Sequence, residues 1–184
     1  MSKRAGRAIM ALVGAALLAA CGQAKQPPAF PYFGEEGGRV RDMAEILSPA
    51  AEAALKDAID LAETRYGQQL AVVTVDSLHG YDIADFSREY ANAWGLGSAE
   101  RNDGLMILVA PRERKVRVEV GRGLEPTFPD EFAQTVVDDM VPHFHKGDYD
   151  AGVTVAADAL IERMQRYPSR PANDNAPATW EKAA

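Results

Sequence analysis

Two short runs constrain this chain more than any other feature: residues 70–75 (LAVVTV) and 105–110 (LMILVA). A strand with one face in water alternates polar and apolar side chains with a period of two. Neither run alternates, so each reads as a strand covered on both faces, the usual state of parallel strands beneath crossover helices. A third segment differs. Residues 115–120 (KVRVEV) alternate strictly, which predicts a half-exposed strand with Val116, Val118 and Val120 inward and Lys115, Arg117 and Glu119 outward. Only residues 111–114, headed by Pro111, separate it from the second run, so the two are expected to pair antiparallel as a hairpin.

The segments between carry helix signals. Ser48 followed by Pro49 is a hydroxyl N-cap with proline at the first helical position. Ala51, Ala54, Leu55, Ala58, Ala62 and Tyr66 then fall on one face, and Gly67 stops the helix. Asp82 is placed to cap a second helix with Ile83, Phe86, Tyr90 and Trp94 inward, closed by Gly95 and Gly97. A third is expected over 129–140, with Phe132, Val136 and Met140 inward and Pro142 as its terminator. Asp148 caps a fourth with Tyr149, Val153, Ala157, Leu160, Ile161 and Met164 as its stripe. With a short strand around Val40, this order predicts an α/β domain with helices on both faces of a small mixed sheet.

Outside that domain, the first twenty residues read as an address. Lys3, Arg4 and Arg7 precede the uncharged segment 8–20, which is shorter than the ~20 apolar residues a bilayer-spanning helix needs. A basic start, a short apolar run and small residues at its end make a secretory signal peptide. It closes on Leu18-Ala19-Ala20-Cys21, which resembles the lipobox of bacterial lipoproteins. That resemblance implies a diacylglyceryl group on the Cys21 thiol, cleavage before it, and acylation of the freed amine by a chain such as palmitate. Several acyl chains anchor stably where one does not, at about 0.8 kcal/mol per buried CH₂. Cys21 is the single cysteine, so no disulfide within the chain is available to it. The expectation is a protein of the cell envelope, anchored to the lipid bilayer through Cys21 and facing the periplasm. Gly22, in the place where an Asp signals inner-membrane retention in enteric bacteria, slightly favours the outer membrane.

Removing residues 1–20 takes three of the 20 basic residues and none of the 27 acidic ones, leaving a net charge of −10. Such a chain is a poor partner for nucleic acid. Residues 21–38, rich in Pro and Gly, read as a flexible tether. The folded domain is expected over 39–167, and residues 168–184, rich in Pro, Asn and Ala, as a disordered tail.

Several short pieces recur in a recognisable order: Val40-Arg41-Asp42, Ile46-Leu47-Ser48, the run LAVVTV, Trp94-Gly95-Leu96-Gly97, Arg101-Asn102-Asp103-Gly104-Leu105, Val120-Gly121-Arg122-Gly123-Leu124-Glu125 and Gly147-Asp148-Tyr149. Together they resemble the TPM domain over nearly all of residues 40–165. The resemblance implies a three-layer α/β/α sandwich. The family occurs in thylakoid-lumen proteins linked to photosystem repair, in an accessory protein of nematode acetylcholine receptors, and in bacterial membrane-attached proteins. Weak acid phosphatase activity and calcium binding are attributed to plant members. Many bacterial relatives carry a transmembrane helix and a Gly-rich tail after the domain; here lipid on Cys21 is expected to take over the anchoring.

The residues that can carry chemistry gather where that pattern is densest. In a hairpin, the start of the first strand and the end of the second share one edge, so Asn102, Asp103 and Glu125 can converge beside Gly104, Gly121 and Gly123. Glycine lets backbone approach a ligand closely. Two carboxylates, an amide oxygen and backbone carbonyls suit a hard cation such as Ca²⁺ or Mg²⁺, and Asp42 joins them if the segment around Val40 ends at the same edge. The spacing is not that of an EF-hand. Gly121-x-Gly123 lacks the third glycine and the prompt helix of a dinucleotide site. Ser77 and Ser87 lack a nucleophile elbow. His143 and His145 have no third metal ligand nearby. Arg112, Arg114, Lys115 and Arg117 cluster at the hairpin tip, where a charged edge resists aggregation. Two functions follow. The favoured one is an accessory module docking on an envelope membrane protein and assisting its assembly or maintenance. The alternative is a weak, divalent-metal-dependent acid phosphatase in which Asp103 and Glu125 hold the ion.

Overall fold

The structure, a computed structural model, describes residues 38–169. The expected signal peptide, Cys21, the tether up to residue 37 and the tail from residue 170 lie outside the described residues.

Among the described residues nine elements follow one another: β1 (Val40–Asp42), α1 (Pro49–Tyr66), β2 (Gln69–Thr74), α2 (Ile83–Trp94), β3 (Gly104–Ala110), β4 (Lys115–Val120), a 3-10 turn (Arg122–Leu124), α3 (Asp130–Phe144) and α4 (Tyr149–Arg166). The sheet order is β1-β2-β3-β4. The first three strands are parallel and the last pair antiparallel, with Leu105 opposite Val120 and Ala110 opposite Lys115. All seven residues of β3 are buried, as its unbroken apolar run requires.

Alternate residues of the central strands feed two cores. Leu70, Val72, Leu105, Ile107 and Val109 pack with α1, α3 and α4 on one face. Ala71, Val73, Met106, Leu108 and Ala110 pack with Phe86 and Tyr90 of α2 on the other. The result is the expected three-layer α/β/α sandwich with a small mixed sheet. β1, β2 and β3 lie side by side in chain order, yet α1 and α2 cover opposite faces. The two crossovers therefore have opposite hands, and one departs from the strong right-handed preference of βαβ units.

The helix caps form as their residues dictate. The Ser48 side chain accepts from Ala51 N–H, and Gly67 closes α1 at φ 86°. The Asp82 carboxylate accepts from Ala84 N–H, and Gly95 closes α2 at φ 68°. On α2 the rings of Phe86, Tyr90 and Trp94 follow one another at centroid separations of 6.1 and 6.0 Å. Burial pushes the Tyr90 phenol well above its usual range, against the opposing field of Arg41.

Three expectations are corrected. On α1, Ala54 is exposed and Ile59 is fully buried; small alanines carry little directional information, and the buried face centres on Leu55, Ile59 and Ala62. Pro142 lies inside α3 and does not end it. It sits in the last turn, where its missing N–H costs a single helical bond, and His145 N–H still donates to Val141 O at 3.0 Å. The outward face of β4 is partly covered: Glu119 accepts from Ser87 Oγ of α2 at 2.7 Å and from Arg117 Nε at 2.7 Å.

Candidate functional site

The hairpin register sets Gly104 against Gly121 at the amino end of β3, where Gly121 N–H donates to Gly104 O at 2.8 Å. Around them two loops are pressed together. Gly123 N–H donates to Asn102 O at 3.1 Å, and Asn102 itself adopts φ 48°. The glycines are required by this contact. A Cβ on Gly123 would stand 1.7 Å from Arg101 O, one on Gly121 2.2 Å from Asn102 O, and one on Gly104 2.7 Å from Leu96 O. Backbone does approach closely there, but what it approaches is the protein's own backbone.

Asp103 is 1% exposed. One carboxylate oxygen accepts from Ser98 N–H at 2.8 Å and the other from Arg101 Nε at 2.6 Å. Its carbonyl accepts from Gln69 N–H at 3.1 Å, and the Gln69 side chain accepts from Gly97 N–H at 2.7 Å. Asp103 thus ties its own loop to the start of β2. Ser98 and Arg101, absent from the expected set, complete this knot; Ser98 Oγ accepts from Arg101 N–H at 3.0 Å. A hydroxyl three residues ahead of the N–H it accepts from is the legible signal, since Ser is a habitual partner of nearby backbone.

Asp42 is not at this edge. β1 runs parallel to β2 with Asp42 level with Thr74, so it ends at the opposite rim of the sheet. There its carboxylate accepts from Thr74 Oγ1 and, at 2.8 Å, from Leu47 N–H. The expected joining of Asp42 to Asn102, Asp103 and Glu125 is therefore corrected: parallel pairing fixes the direction of β1 and carries its last residue away from them. Among the described residues no three His, Cys, Asp or Glu side chains are grouped to hold a metal ion. Asp103, buried with both oxygens engaged, and Asp42, at the far rim, therefore do not form one ligand set.

What the knot supports is a groove of about 530 Å³ between α2 and the outer edge of β4. Asn102, Gly104, Gly121 and Glu125 line it; Asp103 and Gly123 do not. Arg88, Arg117, Arg122, Glu119, Glu125 and Asp130 are its charged lining. Arg117 is paired with Glu119, and Arg88 with Asp85. Arg122, Glu125 and Asp130 are exposed and make no ion pair with another described residue. Sequence reasoning missed Arg88 and Asp130, which come to this surface only through helix packing.

Comparison with known proteins agrees with this architecture. The N-terminal domain of a protein from P. gingivalis, solved by NMR, aligns at 29% identity with a TM-score of 0.67, over 74% of this chain and 90% of that one. The protein BA42 from the psychrophilic Bizionia argentinensis aligns at 19% identity and a TM-score of 0.61, over 72% and 92% of the two chains. The N-terminal domain of the cg2496 protein from Corynebacterium glutamicum shares the fold at 16% identity and a TM-score of 0.57, over 84% and 95%. No curated protein matches the chain. The sequence profile of the TPM domain matches residues 40–163, well over half of the 184, and the chain belongs to the TPM domain family.

Proposed function

We propose that this TPM domain is an accessory docking module, held at an envelope membrane by lipid on Cys21, that meets an envelope membrane protein through the groove beside Arg122 and Glu125. One observation carries the reading. The knot of glycine contacts and the buried Asp103 make a rigid platform, and around the groove that platform presents Arg122, Glu125 and Asp130, exposed and without an ion pair to another described residue. Charges of both signs on a fixed backbone suit recognition of a complementary protein surface, where they set register and partner choice. Arginine is moreover enriched at protein interfaces. Metal-assisted phosphate hydrolysis draws no support from Asp103, whose oxygens are both spent on its own loop. The expectation that the chain is exported and lipidated rests on residues 1–21 and on their order.

A photo-crosslinking residue placed at Arg122 in the full-length protein, in intact cells, tests the reading. A discrete adduct with one membrane protein is expected, lost when Glu125 and Asp130 are both changed to Arg. Crosslinking at Leu61, exposed on α1, should not yield it. Identical adducts from both positions, or none from Arg122, would sink the proposal.

A further inference from the structure

A second cavity, of about 450 Å³, opens at the other end of the sheet, beside the hairpin tip. It lies beside the carboxyl end of β3 and the start of β4, between the hairpin and the α3–α4 corner. Its apolar walls come from Val109 of β3, Val116 of β4, Val141 and Phe144 of α3, and Tyr149 of α4. Phe144 is set firmly: its ring lies 5.0 Å from that of Tyr149, and a Cβ on Gly152 would stand 2.5 Å from it. Ala110, Pro111, Arg114, Lys115 and His145 complete the lining, the last three exposed. None of them makes an ion pair with another described residue.

The charge pattern is the informative part. The protein carries 27 acidic against 20 basic residues, yet not one lining residue of this cavity is acidic. The groove at the opposite end mixes three arginines with three carboxylates. An apolar cleft of this size with a few convergent polar groups is the usual form of a small-molecule site, and such sites run from ~300 to 1,000 Å³. The geometry points to a binding site for a small organic anion with a ring-sized apolar body, its body against Phe144 and Tyr149 and its carboxylate between Arg114 and Lys115. The site is independent of the docking groove.

The chemistry is shared by free carboxylic acids and by the carboxyl end of a peptide. The test titrates the full chain carrying Cys21→Ser with 3-phenylpropionate, with 3-phenylpropionamide, and with a tetrapeptide ending in phenylalanine, each followed by amide shifts in two-dimensional NMR. Saturable shifts at Val116, Phe144 and Tyr149 are expected for the acid and absent for the amide. Arg114→Glu combined with Lys115→Glu, both on exposed positions, should weaken binding at least tenfold; Tyr149→Leu should weaken it several-fold with the backbone spectrum retained. Peptide binding at least tenfold tighter than that of the free acid would assign the anion to a chain terminus, within the same site. The proposal fails if no shift saturates, if the amide binds as well as the acid, or if the double charge reversal leaves binding unchanged.

Discussion

At the amino end of the strands, Asp103 gives both carboxylate oxygens to residues within five positions of itself, and glycine backbones close the remaining space. At the carboxyl end, the carboxylates of Asp42 and Glu113 also tie segments more than thirty residues away. Asp42 holds Thr74 and Leu47; Glu113 accepts from Ser77 Oγ and Leu78 N–H, both at 2.9 Å. That end keeps an open cavity between the hairpin and the α3–α4 corner. The contrast teaches that the density of a sequence pattern measures how tightly backbone must fit, which is a different quantity from chemical reactivity. The amino end holds the thickest cluster of Gly, Asp and Asn and uses it to lock two loops. The carboxyl end is sparser in pattern, and its cavity is walled by apolar side chains with no acidic residue.

Four substitutions test that contrast. Gly123→Ala should have the largest effect. Its Cβ would meet a backbone oxygen that cannot rotate away, so the loops must separate, at a cost of about 3 kcal/mol or more, read as a lowered denaturant midpoint. A loss below about 1 kcal/mol would mean that the two loops are not locked. Asp103→Ala comes next. It leaves Ser98 N–H and Arg101 without their partner, but Arg101 is 28% exposed and can recover water, so a loss of about 2–3 kcal/mol is expected. Paired with Arg101→Ala in a double-mutant cycle, it should show a coupling above about 0.5 kcal/mol. Any binding assay that relies on Asp103→Ala will report folding first.

Asp42→Ala should cost less, about 1–2 kcal/mol, since Asp42 is only half-buried and Thr74 Oγ1 still accepts from Ala44 N–H at 3.0 Å. Its coupling to Asp103→Ala should be near zero, because the two stand at opposite ends of the sheet; a coupling above about 0.5 kcal/mol would break the comparison. Glu113→Gln is the smallest, at about 1 kcal/mol or less, and is the one with a pH signature. Burial alone would raise the Glu113 carboxyl, but donation from Leu78 N–H and Ser77 Oγ, with the nearby Arg112, holds it below its ordinary 4.5. A depressed carboxylate stabilises the fold above its unfolded value, and that stability drains as pH falls below about 4.5. Glu113→Gln should therefore narrow its gap to the parent protein as the pH drops through that range, in chemical denaturation at fixed temperature. A constant gap down to pH 3 would refute the assignment.

Much of the fold was legible because its signals are local. Caps such as Ser48, Asp82 and Gly67 act within one helical turn, and an unbroken apolar run such as LMILVA can only be a covered strand or a buried helix segment, which its length decides. The edge holding Asn102, Gly121 and Glu125 was also legible, since a short hairpin turn forces its two outer ends together. What failed was what depends on direction and on neighbours. Asp42 was misplaced because nothing in three residues of β1 states which way it runs. At Gly104, Gly121 and Gly123 a sequence does not say what occupies the place of the missing Cβ, and here it is backbone.

The sequence by itself determined the layer architecture, the capped ends of α1, α2 and α4, the hairpin and the family, all of which follow from periodicity, capping and chain geometry over short spans. Only the tertiary structure decided that Asp103 is a buried tie, that Asp42 lies at the far rim, that α1 and α2 cover opposite faces, and that a cavity without acids opens beside the hairpin tip of an acidic protein. These are distances between segments far apart in the chain, set by how the helices pack on the sheet, and side-chain order carries no record of them.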